Sequence, residues 1–505
     1  MTAIAQPAGA TRLAGTFDTL NPATSEVIGT FPVSGENDVE AAVARARRAA
    51  RWWAGLGWQQ RQQRLLAWKS QLIRHNGELA ELVRAETGKP AADAQLEILL
   101  AVVHIDWAAR HARQVLGPRR VASGLLAVNQ AATLEYQPLG VVGVIGPWNY
   151  PVFTPVGSIA YALAAGNAVV FKPSELTPAV GSWLVTSFGA VVPEQPALQL
   201  ITGAAQTGDL LARSAVSKIA FTGSAATARK VMAACAQNLT PLVAECGGKD
   251  ALIVAADADL DAAADAAAWG AMSNAGQTCI GIERVYVASA VYQEFLGLLA
   301  GRVAALRPGA HRGADYGPMT LPAQADVIEQ HIADAVARGG RALTGLASGV
   351  RRPFAAAVVL ADVPDDSRAV TEETFGPTVT VTEVADLAAG VQRANASRYG
   401  LGAAVFSRDR KAAMAAARAL RSGMASVNSV TSFTAVPSLP FGGSGESGFG
   451  RVHGADGLRE FARPKSITRQ RMRPAVNLTS FGRTDRQMQQ IMDLAARLHG
   501  RRYGR

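Results

Sequence analysis

The sequence predicts an α/β protein built as two doubly wound lobes, each a parallel sheet flanked by helices. Three observations carry that prediction. Short Val- and Ile-rich runs alternate with Ala-rich helical stretches from Pro138 to the helix opening at Ser224, and a second such series runs from about Asp250 to Val427. Alternation of this kind marks βαβ units, whose strands are buried on both faces and read as continuous apolar runs. The third is bulk: 505 residues, 49% hydrophobic and 18% charged, supply sizeable cores and exclude a disordered or low-complexity body.

Taken in order, residues 1–16 are Ala-, Thr- and Gly-rich and hold no apolar core segment, which predicts a disordered tail rather than a signal peptide. Asn21 to Val33 reads as short strands with turns. Glu36-Asn37-Asp38 opens an Ala/Arg-rich helix to about Trp53, and helical spacing continues over 59–86, closed by Gly88 and Pro90, and over 91–115. Leu134–Gln137 alternates like a strand. The first lobe then follows, with strands at Val141–Ile145, Ala168–Phe171, Leu198–Ile201 and Lys218–Phe221. Helices near 156–165, 178–188 and 206–213 separate them, and another begins at Ser224. In the second series, strands at Ala251–Val254, Arg284–Val287, Val379–Val381, Ala403–Phe406 and Ala425–Val427 accompany helices near 259–273 and 290–306. Gln137 to Phe171 carries no charge, yet Pro147, Pro151 and Pro155 interrupt it, so it reads as buried strands and turns and not as a membrane span. Two such lobes meet at a cleft, and clefts at strand carboxyl ends hold ligands.

The net charge of +10 is concentrated at one end: from Arg463 onward eleven Lys/Arg face two acids, while residues 1–462 hold 39 bases against 38 acids. The body is therefore near neutral, and the basic balance does not describe its ligand. Within the basic stretch, Thr484 to His499 has helical spacing, with Met488, Ile491, Met492, Ala495 and Leu498 on one face. This predicts an amphipathic helix docked on its own or a neighbouring subunit, with attachment to a membrane surface as the alternative. Arginines without interleaved aromatics do not make a nucleic-acid site. Three cysteines cannot form a disulfide framework, which places the chain in a reducing, cytoplasmic setting. Seven scattered histidines with no H-E-x-x-H or Cys/His cluster predict no metal.

Several residues could carry chemistry. Cys279 sits in the small-residue loop Asn-Ala-Gly-Gln-Thr-Cys-Ile, where a thiol is approachable and backbone amides are near; a half-buried loop cysteine is the plain alternative. Glu245 ends an apolar strand beside a flexible Gly247-Gly248 and could act as a mobile general base, or it could pair with Lys249 at a solvent-facing strand end. Asn149, between Pro147 and Pro151, could be an oxyanion donor or a turn residue. Lys172 and Glu175 follow a strand and could bind ribose hydroxyls or simply form an exposed turn. Phe221-Thr-Gly-Ser224 opens a helix, where Ser224 could face a pyrophosphate or merely cap. Cys235, inside an Ala-rich helix, packs. Gly443-Ser-Gly445-Glu-Ser-Gly448 fits G-x-G-x-x-G but follows no strand and reads as a flexible Gly/Ser loop.

Seven segments recur in an order that resembles the NAD(P)-dependent aldehyde dehydrogenase superfamily. They are Gly-Pro-Trp-Asn-Tyr-Pro (146–151), Lys-Pro-Ser-Glu (172–175), Phe-Thr-Gly-Ser (221–224), Glu-Cys-Gly-Gly-Lys (245–249), Gly-Gln-Thr-Cys (276–279), Glu-Glu-Thr-Phe-Gly-Pro (372–377) and Pro-Phe-Gly-Gly (440–443). The resemblance runs from about Asn21 to Ser466. It implies a Rossmann-like NAD(P)-binding lobe over 17–119 and 139–248, a catalytic lobe over 249–440 and a return to their interface over 441–462. It also implies a small β extension for oligomerisation over 120–138 and 463–480, so that a homodimer or homotetramer is expected, followed by the basic helix over 481–505.

In the implied mechanism Cys279 attacks an aldehyde, Asn149 and the Cys279 amide hold the oxyanion, and Glu245 activates the water that hydrolyses the thioester. Trp148, Lys172, Glu175, Gly223, Ser224, Glu373 and Phe375 are the implied cofactor contacts. Glu175 favours NAD over NADP, because a carboxylate suits a ribose 2′-hydroxyl and repels a 2′-phosphate. The implied substrate wall is Tyr150, Thr154, Thr278, Ile280 and Phe441, largely uncharged, which suits an apolar or aromatic aldehyde. A succinate-semialdehyde dehydrogenase is the alternative, since the string around Cys279 is similar to a bacterial branch of that name. Ser273 weakens it, standing where several such enzymes place an arginine. Cys246 stands where many relatives carry Leu: a small apolar replacement or a redox-sensitive thiol. A non-catalytic interaction protein is the rival of another class, and the joint presence of Cys279, Glu245 and Asn149 opposes it. A CoA-acylating relative typically lacks the carboxylate matching Glu245.

Overall fold

The uncharged apolar runs form the central strands of two parallel sheets in the computed structural model, which describes residues 15–345, 349–474 and 476–500. The tail expected over 1–16 lies almost wholly outside the described residues. One unit comprises the chain up to Leu116 together with Gln137–Arg463. Its first sheet has six strands, in the order Gly448–Phe449, Leu242–Glu245, Lys218–Thr222, Val141–Ile145, Ala168–Lys172, Leu198–Leu200. All neighbours run parallel except the Gly448–Phe449 edge. Val141–Ile145 and Ala168–Lys172 are buried at every position, as a two-sided sheet requires.

The second sheet has seven strands, in the order Arg341–Ala342, Val358–Ala361, Thr378–Val384, Ile282–Ala288, Asp250–Val254, Ala403–Phe406, Ser426–Val427. It is parallel apart from its Arg341–Ala342 edge. Helices cover both sheets. Phe188 packs edge-on against Trp53 at 5.9 Å and Trp68 at 5.4 Å, joining the amino-terminal helices to the first sheet's layer. Side-chain caps start several helices at the expected places: Ser224 accepts from the Thr227 amide and Asp259 from that of Ala262.

The structure departs from expectation in three places. The helix expected over 59–86 breaks at His75 into Gly57–Arg74 and Asn76–Thr87, where the Asn76 side chain donates to the Ile73 carbonyl instead of letting the helix run on. The helix Gln324–Ala337 and strand Val358–Ala361 were not singled out by the periodicity. The segment Gly443–Gly448 is not a flexible loop: it turns into Gly448–Phe449, which pairs antiparallel with Ala244 and Glu245. Gly448, at φ 99°, lies so close to that strand that a Cβ would stand 2.0 Å from the Ala244 carbonyl.

Gly117–Tyr136 and the residues from Pro464 onward form a second unit. It holds a three-stranded sheet, in the order Ala462–Gln470, Gln130–Pro138, Arg119–Val121, and the helix Asp485–His499. Among the described residues no helix is long and apolar enough to cross a membrane, and no group of His, Cys, Asp and Glu is placed to hold a metal.

Candidate active site

Cys279 reaches its position through a left-handed run. After the helix Leu260–Met272, Asn274, Ala275 and Gly276 take φ of 53°, 56° and 69°. The chain there presses against Gly376, whose carbonyl would lie 2.1 Å from any Cβ at position 276, so only glycine fits. Gln277 then locks the turn: its Nε2 donates to the carbonyls of Asn274 (2.9 Å) and Pro318 (3.2 Å), and its Oε1 accepts from the Thr320 amide (2.8 Å). Thr278 and Cys279 follow, half-buried, at the amino end of strand Ile282–Ala288. Glu245 faces the same space from the carboxyl end of Leu242–Glu245 in the other sheet, so only one of the two groups follows the carboxyl-end rule.

Both side chains line one cavity of about 980 Å³, its mouth included. All five expected wall residues, Tyr150, Thr154, Thr278, Ile280 and Phe441, line it as well. Leu96, Leu100, Phe153, Trp269 and Leu401 add apolar surface. The wall is less neutral than expected, because Asp93 and Glu97 on the helix Ala91–Leu116 also reach it. No lysine or arginine is among the lining residues, and Ser273 stands in the wall with no cation near it in that lining.

Burial dominates the electrostatics. Glu245 is 6% exposed, its Oε1 has no hydrogen-bond partner among the described residues, and desolvation pushes its carboxyl up to about 8 against the pull of Arg451. Its pairing with Lys249 does not occur, since Lys249 is bonded to Glu283. The Cys279 thiol is raised well above its ordinary value by burial and then by the Glu245, Asp250 and Glu373 carboxylates, with the Ile280 amide opposing. Burial raises the Cys246 thiol to about 12, so at neutral pH it is a protonated, buried side chain.

Asn149 is not among the cavity's lining residues. Its Nδ2 donates to the Gln277 carbonyl at 3.0 Å, which leaves one of its two N–H groups beside the loop that carries Cys279. The turn around it is held from below. Lys89 Nζ donates to the Asn149 carbonyl (2.7 Å) and to Glu97 Oε2 (2.7 Å), and both charged side chains are 0% exposed. Glu97 Oε1 accepts from the amides of Val152 (2.6 Å) and Phe153 (3.1 Å), capping the helix Phe153–Ala164. The Lys89 ammonium also sits 4.2 Å from the Tyr150 ring centre, and the Tyr150 hydroxyl bonds Thr278 Oγ1 at 3.0 Å.

The expected cofactor residues occupy two neighbourhoods. Trp148 and Phe375 meet edge to face at 5.6 Å, and Glu373 Oε1 accepts from the Gly248 amide at 2.9 Å, which ties down the glycine pair expected to be flexible. Glu283 holds this turn by accepting from the amides of Thr374 (2.9 Å) and Phe375 (3.0 Å). On the first sheet, Lys172 is buried with its Nζ on the Pro173 carbonyl, Glu175 is exposed, and Gly223-Ser224 opens the helix Ala225–Ala236. The free amides of that first turn suit a pyrophosphate, and an exposed carboxylate beside a buried lysine suits ribose hydroxyls, so these residues fit a dinucleotide. Lys89, Asp93, Glu97 and Glu283 escaped the sequence reading.

The aldehyde dehydrogenase family profile matches residues 10–467. The 4,4'-diapolycopene aldehyde oxidase of a Methylomonas species is 38% identical over 455 residues, 89% of this chain and 85% of that one. A probable NADP-dependent succinate-semialdehyde dehydrogenase of Sinorhizobium fredii is 35% identical over 454 residues, 88% of this chain and 91% of the other. Among solved structures, the betaine aldehyde dehydrogenase of Staphylococcus aureus in complex with NAD+ superposes with a TM-score of 0.85 at 30% identity, covering 92% of this chain and 93% of that one.

Proposed function

Because the chain belongs to the aldehyde dehydrogenase family and oxidises aldehydes to carboxylic acids with NAD(P), we propose that its substrate is an uncharged apolar or aromatic aldehyde turned over on Cys279. The observation that carries this reading is the cavity lining, in which Cys279 and Glu245 share an apolar wall that holds carboxylates but no lysine or arginine. A semialdehyde brings a further carboxylate to a wall that already holds Asp93, Glu97 and Glu245, with no lysine or arginine in the lining to pair with it. The names of the relatives divide between the two choices, a diapolycopene aldehyde on one side and a succinate semialdehyde on the other.

The Cys279 thiol gives up its proton to solvent, and the thiolate sulfur forms a bond to the carbonyl carbon as the C=O π bond breaks toward oxygen. The oxygen gains the charge and is held by the Asn149 amide and the Cys279 backbone N–H. Trp148, Lys172, Glu175, Gly223, Ser224, Glu373 and Phe375 would hold NAD(P), which when bound would supply the hydride acceptor, and the Glu175 carboxylate would incline the site to NAD. Loss of hydride leaves a thioester on Cys279. Glu245 takes a proton from water, the hydroxide oxygen adds to the thioester carbon, the C–S bond breaks, and the acid departs. The three-stranded sheet of the second unit serves as the contact between subunits of a homo-oligomer.

Initial NADH and NADPH formation across hexanal, decanal, benzaldehyde and succinate semialdehyde tests the substrate class. Each methylene fully buried is worth about 0.8 kcal/mol and decanal carries four more than hexanal, so decanal should exceed hexanal in kcat/KM by about two hundredfold with all four buried and by about tenfold with only two. Succinate semialdehyde should be the poorest of the four; its being the best overturns the reading.

A pH profile follows from Glu245. The base works only as carboxylate, and burial raises its carboxyl to about 8. Turnover is therefore expected to climb as pH rises through about 8. A rate that is flat from neutral to alkaline pH contradicts the assignment of that base.

A further inference from the structure

The segment beyond residue 467 falls outside the family match, and its helix has no place in the chemistry above. Thr484 and Gln487 form a reciprocal capping box, with the Thr484 amide donating to Gln487 Oε1 (2.9 Å) and the Gln487 amide to Thr484 Oγ1 (3.3 Å), so the helix Asp485–His499 has its own defined start. None of its residues is buried. Met488, Met492 and Leu498, at i, i+4 and i+10, are 42%, 54% and 50% exposed, and Phe481 just before the helix is fully exposed. Arg486, Gln489, Gln490, Asp493 and Arg497 take the opposite face.

We propose that this helix and its flanks bind the anionic headgroup surface of a lipid bilayer, with the Met488/Met492/Leu498 face inserted and the bases that precede and follow the helix in the sequence on the headgroups. Charge selects this occupant. Residues 463–505 hold eleven bases against two acids, whereas residues 1–462 are balanced at 39 to 38, so the chain's own body carries no net acidic charge to draw the segment to it. A second copy of the segment would carry the same surplus and repel it. Nucleic acid answers the charge but leaves the apolar face in water; a bilayer interface answers both. Such a surface also dissolves the apolar aldehydes of the reading above, on which only this benefit, and not the attachment, rests.

The test is co-sedimentation of the full-length protein with vesicles of phosphatidylcholine alone or mixed with phosphatidylglycerol, without any aldehyde present. Its controls are the double variant Met488→Glu/Met492→Glu, light scattering for oligomeric state, and turnover of a water-soluble aldehyde to show that the variant is folded. The expected result is pelleting with the mixed vesicles only, weakened by salt, and reduced about tenfold or more in the double variant at unchanged oligomeric state and turnover. Three results overturn the proposal: no pelleting with anionic vesicles, equal pelleting of the variant, or a variant that dissociates into smaller species, which would place the helix on a neighbouring subunit.

Discussion

Cys279→Ala is expected to lower aldehyde-dependent NADH formation by about 10⁴-fold or more while the folded protein still binds cofactor. The size follows from what the thiol does in the proposed cycle. Without the C–S bond there is no hemithioacetal from which hydride can leave and no thioester to hydrolyse, so both halves of the reaction fail together. Cys246 lines the same cavity but follows the strand Leu242–Glu245 of the other sheet, away from the loop whose Cys279 backbone N–H is assigned to the oxyanion, so it cannot substitute. The loop should survive the change, since its shape is set by Gln277, Gly276 and the left-handed turn and not by the sulfur. Initial-rate kinetics with a cofactor-binding titration check this; retention of even a tenth of wild-type turnover contradicts the role.

Lys89→Met is expected to cost about 3–5 kcal/mol of stability, because it leaves the Glu97 carboxylate fully buried without its cation. The same change frees the Asn149 carbonyl and so loosens the turn that presents the Asn149 amide. Adding Glu97→Gln should restore part of the loss. The amide oxygen can still accept from the Val152 and Phe153 amides, and no unpaired charge remains. Urea midpoints followed by tryptophan fluorescence read the comparison, and a double variant less stable than Lys89→Met alone contradicts the buried-pair account.

The parts legible in the sequence share a physical character. Strands such as Val141–Ile145 and Ala403–Phe406 are buried on both faces, so continuous apolar runs announce them. Cys279 and Glu245 each had a plain alternative when taken alone, and they and the wall residues became legible only through the resemblance carried by the seven ordered segments. Asp93 and Glu97 were hidden because charges spaced by four on a helix look like a solvated face, and Lys89 because it stands between Gly88 and Pro90, where the chain reads as an exposed turn before that helix. Only the packing of Ala91–Leu116 against Phe153–Ala164 reveals that two of them are sealed inside. Glu283 was hidden likewise: beside Arg284 at a strand start it resembles an exposed pair, yet it holds the Thr374-Phe375 turn. The Gly443–Gly448 segment misled in the other direction, since glycines chosen for close approach to a strand look the same as glycines chosen for flexibility.

The central claim is that an acyl group passes through Cys279 and leaves by the action of Glu245. Intact-protein mass spectrometry of Glu245→Gln, mixed with decanal and NAD and quenched in acid, tests it most directly. The account predicts a stoichiometric burst of NADH, a protein heavier by the decanoyl group on Cys279, and a steady-state rate reduced about 10²–10⁴-fold. Unmodified protein turning over at the wild-type rate would contradict it.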